Sequence, residues 1–67
     1  MVQGYLKKQD SGRYAVIGQT ELSCGANLQV ETARGWVPMW IEHDGNDYYL
    51  VTNGLSLYPK TVYVRYC

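Results

Sequence analysis

Phenylalanine is absent from this chain of 67 residues, histidine occurs once, and cysteine and proline occur twice each. A single histidine, His43, cannot build a multi-histidine metal site. The spacing of Cys24 and Cys67 matches no zinc pattern, and two thiols cannot form a disulfide-dense scaffold. Both cysteines are expected to be free in a reducing compartment. Excess charge is also lacking: six basic and six acidic residues give a formal net charge of +0. Strong non-specific attraction to DNA, RNA or anionic lipid needs a positive field, which this balance does not supply. No basic run exceeds Lys7-Lys8, and strand alternation sends those two side chains to opposite faces. No stretch approaches the roughly 20 apolar residues of a membrane-spanning helix, and no charged-then-apolar leader opens the chain. These absences predict a cytoplasmic protein. No interval shows a sustained helical period, and no cofactor motif is present, so no cofactor is expected.

What the chain has is rings with polar handles: seven tyrosines and two tryptophans. Such rings can pack their bodies while one edge stays wet, which suits recognition surfaces and small cores alike. Glycines punctuate short runs rich in valine, isoleucine, tyrosine and tryptophan, the pattern of an all-β meander or barrel. The runs predict strands over 4–8, 13–17, 27–31, 36–43, 47–51 and 62–66. Gln9–Gly12, Thr32–Gly35, Asp44–Asn46 and Thr52–Gly54 read as turns, and the Asp-Gly pair is the strongest hairpin signal. Gly18–Gly25 reads as a loop anchored inward by Leu22.

In the longest strand, Trp36, Pro38, Trp40 and Glu42 share one face, while Val37, Met39, Ile41 and His43 share the other. Pro38 lacks an N–H and predicts an unpaired strand side or a bulge there. Leu55 and Leu57 are expected to plug a barrel end, and Tyr58–Thr61 to form one turn of 3₁₀ helix. Residues 1–67 thus read as one domain, a small SH3-like barrel of five to six short antiparallel strands with a 3₁₀ element before the last. Barrel closure would remove exposed strand edges.

Gly12-Arg13-Tyr14, Leu28-x-Val30-Glu31, Trp36-x-Pro38, Ile41-Glu42-His43-Asp44-Gly45 and Tyr48-Tyr49-Leu50 together resemble a family of very short bacterial proteins of Firmicutes. Its members are functionally uncharacterised, and many are carried near plasmid or conjugative-element genes. The resemblance spans about Gly4 to Arg65. It implies a small β-barrel and a mobile-element setting, and it brings no catalytic residues.

Glu42-His43-Asp44-Gly45-Asn46-Asp47 is the most chemical-looking cluster. Its spacing does not fit a calcium loop, and alternation separates Glu42 from His43, so a hydrogen-bonded turn is expected rather than a metal site. A Cys24–His43 thiolate pair would require a cleft that a barrel of this size hardly offers. No catalytic residue and no metal ligand is therefore assigned, and the chain is expected not to be an enzyme.

The more credible surface is aromatic: Trp36, Pro38, Trp40, Tyr48, Tyr49 and Tyr58, with Tyr63 nearby. One of Tyr48 and Tyr49 should join the tryptophan face, forming a groove for an extended or proline-rich peptide. The competing reading places at least one tryptophan in the core, where it would supply bulk. A nucleic-acid alternative would use Lys7, Arg13, Arg34, Lys60 and Arg65 on phosphates and exposed tyrosines on bases, against the neutral charge. A third alternative is a purely structural subunit of a larger complex, and a homo-oligomer is left open.

Overall fold

The computed structural model describes residues 1–67 as a single antiparallel sheet of seven strands. The strands are β1 (Val2–Lys8), β2 (Tyr14–Val16), β3 (Asn27–Thr32), β4 (Gly35–His43), β5 (Tyr48–Thr52), β6 (Leu55–Leu57) and β7 (Tyr63–Tyr66). Their spatial order is β2-β1-β7-β3-β4-β5-β6. The last strand of the chain therefore inserts between the first and third, joining an N-terminal hairpin to a β3–β6 meander.

Period-two alternation gives the sheet one apolar face. Leu6, Val16, Leu28, Val30, Met39, Ile41, Leu50 and Val64 form the buried cluster there. Register brings them together: Leu6 opposes Val16, Leu28 opposes Met39, Val30 lies between Val37 and Val64, and Ile41 opposes Leu50. The sheet curls over this inner face, leaving Leu50 and Val64 with no exposed surface. Leu22 packs against the same cluster through an isolated bridge to Tyr14.

The expected closed SH3-like barrel does not form, because the outer strands β2 and β6 do not pair. Each is only three residues long, and the far side of β2 is occupied by the Leu22 bridge. Side chains tie the curled margins instead. Lys8 Nζ lies 2.9 Å from Asp47 Oδ1, and the Tyr14 hydroxyl reaches the Pro59 carbonyl at 3.5 Å.

The strand count also differs from the expected five to six. Asn53 and Gly54 both hold positive φ, at 39° and 81°, forming a tight two-residue hairpin of the kind Asn-Gly favours. That turn makes Leu55–Leu57 a strand on the open edge, so Leu55 is 70% exposed rather than plugging a barrel end. Nor is there a 3₁₀ turn at Tyr58–Thr61. This segment makes bends with no internal backbone hydrogen bond, and Pro59 is buried.

Pro38 behaves as its chemistry requires. It opposes Gln29 of β3, while the β5 ladder ends at Trp40–Val51. The backbone of Ile41 bonds toward the β3 side, through Ala26 and Gly25, so even-numbered neighbours of β4 face the other way. The missing N–H of Pro38 therefore falls on a stretch of β4 with no neighbour.

Gly4 lies on the inner face opposite Val64, and a Cβ built there would sit 2.8 Å from Val16 Cγ1. Val16 is buried, and its short branched side chain has no flexible end to move. Gly4→Ala should therefore destabilise the domain by about 1–3 kcal/mol, read as a lower urea midpoint. Adding Val16→Ala should give a combined loss smaller than the sum of the two single losses, since the two changes share one space. A strictly additive pair would contradict this contact.

Candidate functional site

The opposite, outer face of the sheet has no element packed over it, and most of the aromatic residues lie there. Alternation and register set them in rows. Tyr5 of β1 opposes Tyr63 of β7, their rings meeting edge-on at 4.9 Å. Tyr63 is 6.2 Å from the ring of Trp36 at the start of β4. In the next row Arg65 opposes Gln29, which opposes Pro38. Arg65 lays its guanidinium carbon 4.1 Å above the Trp36 ring while its Nε donates to Gln29 Oε1 at 2.6 Å. Trp40 opposes Val51, and Glu42 opposes Tyr49. Tyr58 follows β6 and stands 5.6 Å from Tyr49.

The stripe from β1 to β6 crosses five strand intervals, roughly 24 Å along the sheet at about 4.8 Å each. That matches about seven residues of extended chain. Tyr5 is 58% and Tyr58 55% exposed, while Trp36, Trp40, Tyr49 and Tyr63 are half-buried. Neither tryptophan belongs to the core cluster, which is built from aliphatic residues and Met39. The core reading of Trp36 and Trp40 is thus replaced by a surface one.

Of the residues singled out from sequence, Trp36, Pro38, Trp40, Tyr49 and Tyr58 come together on this face. Tyr48 does not: it opposes His43 on the inner face and packs against the core, its ring 4.4 Å from the imidazole. Tyr5 was not singled out, although its place between Gly4 and Leu6 in an alternating run puts it on the outer face. Among the basic residues, Arg65 belongs to the stripe and Lys7 points outward from β1. Arg13, Arg34 and Lys60 stand in three separate connections. Arg13 is 4.0 Å from Glu21.

The Glu42–Asp47 segment works as a hydrogen-bonded turn. Asp44 Oδ1 accepts the backbone N–H groups of Asn46 and Asp47 at 2.8 and 2.7 Å. His43 Nδ1 accepts from Gly45 N–H at 3.1 Å, and Glu42 Oε2 accepts the Trp40 indole N–H at 2.9 Å. No group of three His, Cys, Asp or Glu side chains is arranged to hold a metal ion. Cys24 and Cys67 are free and exposed.

The Tyr58 hydroxyl donates to Asp44 Oδ2 at 2.6 Å. This bond, with the two backbone N–H groups, lowers the Asp44 pKa from 3.8 to about 2. It also raises the Tyr58 pKa, since losing the phenol proton would destroy the bond. A carboxyl whose folded pKa is depressed adds stability above its unfolded pKa, and loses it as pH falls through the folded value. The Asp44 contribution is accordingly present above about pH 4 and fades toward pH 2. In Tyr58→Phe the Asp44 midpoint should move up toward 3.8, as read by carboxyl carbon NMR. A midpoint still near 2 would assign the whole effect to the backbone donors.

Two clefts open on the surface. One, of about 550 Å³, opens where β3 and β7 cease to pair, and its lining joins Leu28, Met39 and Tyr66 to Gln29, Pro38 and Arg65 of the stripe. The Tyr66 hydroxyl is buried without a hydrogen-bond partner, and burial raises its pKa. The other, about 560 Å³ and polar, runs along the β1–β2 hairpin. No helix is long and apolar enough to cross a membrane.

Comparison with curated proteins and with solved structures returns no match to this chain. One family model does match, over residues 4–65, which covers nearly all seven strands and the whole aromatic stripe. By that match the chain belongs to the family described as Domain of unknown function (DUF5348).

Proposed function

We propose that this protein is a non-enzymatic binding module whose outer sheet face takes an extended segment of a partner protein. The observation that carries this reading is the uncovered stripe of rings from Tyr5 to Tyr58 on the face opposite the core cluster. Core bulk comes from aliphatic residues on the other face, so these rings are free to serve recognition. Rigid two-torsion rings with polar edges give large contact area at little entropic cost. Pro38 and the unpaired part of β4 beside it add backbone acceptors next to Trp36, which suits an extended ligand. The setting in bacterial mobile elements that the family resemblance implies would place the partner among proteins encoded with such elements.

The test is capture from native host lysate with tagged wild-type protein, with and without nuclease, beside folded Trp36→Ala and Trp40→Ala variants. A stoichiometric protein that survives nuclease and is lost with the variants supports the reading. Recovery of nucleic acid that nuclease abolishes would replace it with the nucleic-acid alternative.

A further inference from the structure

The β4–β5–β6 end of the outer face joins three rings to two carboxylates that form no salt bridge. Glu42 directly opposes Tyr49, and Trp40 precedes Glu42 on the same face and donates its indole N–H to it. Tyr58 lies beside Tyr49 and donates to Asp44, which closes the row. The partners of both carboxylates are neutral: an indole for Glu42, a phenol and two backbone N–H groups for Asp44. The ion pairs of the chain are Lys8–Asp47 and Arg13–Glu21, so neither Glu42 nor Asp44 is in a salt bridge. Of the neighbouring titratable groups, Asp47 is held by Lys8, and His43, whose ring packs against Tyr48, is the smallest of the influences that lower the Asp44 pKa. Ring faces are electron-rich and attract cations, and the two carboxylates add formal charge of the same sign.

The other end of the same face shows the complementary group in place. There a guanidinium of the chain itself, Arg65, lies over Trp36 with its Nε bonded to an acceptor. We propose that the Trp40–Glu42–Tyr49–Tyr58–Asp44 corner is a subsite for an arginine side chain of the bound segment. This inference rests on the reading of the face as a peptide surface. Arginine fits better than lysine, because a planar guanidinium can stack on a ring while its edge donates to carboxylates on two sides. The subsite places the arginine of the segment at the β6 end of the stripe.

The test uses isotopically labelled protein and two probes, N-acetylarginine amide and its neutral isostere N-acetylcitrulline amide. The two tryptophans give two indole N–H signals, assigned with Trp36→Phe. The arginine probe should shift the Trp40 signal saturably and leave Trp36 in place, while the citrulline probe shifts neither. Glu42→Gln keeps an acceptor for the indole and should weaken arginine binding by about threefold to tenfold. A silent Trp40 signal, an equal response to citrulline, or unchanged affinity in Glu42→Gln would overturn the subsite. If capture from lysate still depends on Trp36 in that event, the subsite alone falls. If capture is indifferent to Trp36→Ala, the reading of the whole face falls with it.

Discussion

Replacing Leu50 with alanine should remove about 2–5 kcal/mol of stability, the largest loss expected from any single truncation in the fold. Leu50 has no exposed surface and stands at the crossing of two ladders, opposing Ile41 on β4 and Leu57 on β6. The void left by its side chain is walled by Ile41 and the strands of a curled sheet, which can collapse only by bending the hairpin. A domain of this length has a total stability of about 3–10 kcal/mol, at roughly 0.05–0.15 kcal/mol per residue. The variant should therefore show a urea midpoint far below wild type, or be partly unfolded in buffer. Leu55→Ala is the control, because Leu55 lies on the free edge, 70% exposed, and should move the midpoint little. Equal shifts in the two variants would mean that the β5–β6 hairpin does not pack as described.

The second large effect concerns binding. Trp36→Ala and Trp40→Ala should each weaken the captured complex by about 2 kcal/mol or more, a loss of roughly 30-fold in affinity. Stability should change far less, because neither ring belongs to the core cluster and the outer face carries no packed layer. Trp36→Ala also frees Arg65 and removes one neighbour of Tyr63, so its stability cost should be the larger of the two. The two rings are four residues apart on one strand, roughly 13 Å at about 3.3 Å per residue, so their effects should add nearly independently. Affinity measured by calorimetry against the captured partner, with midpoints measured in parallel, separates recognition from folding. Unchanged affinity in both variants would remove the rings from the interface.

Alternation in β4 was enough to separate Trp36, Pro38, Trp40 and Glu42 from Val37, Met39, Ile41 and His43, and the fold keeps that division. The same rule left Tyr48 and Tyr49 undecided, because a hairpin register depends on loop length and a one-residue shift exchanges the faces. The loop holds Asp44 through Asp47, with Asp44 N–H bonded to the Asp47 carbonyl, and this length sends Tyr49 outward. Closure was not legible in the pattern at all. Period-two runs mark strands and faces, whereas closing a barrel requires two edges long enough to run side by side. The short β2 and β6 cannot do so, and no local signal in either announces it. The tryptophans were misleading in another way. Their bulk favours burial on average, yet branched aliphatic residues on the opposite face already fill this small core.

The most direct test of the aromatic face as the binding surface is chemical-shift mapping of the labelled domain with its captured partner or a peptide from it. Perturbations confined to the outer face, at Tyr5, Trp36, Trp40, Tyr49 and Tyr63, are the predicted result. Shifts centred instead on Leu28, Met39 and Tyr66, or on the β1–β2 hairpin, would place recognition in one of the clefts and contradict it.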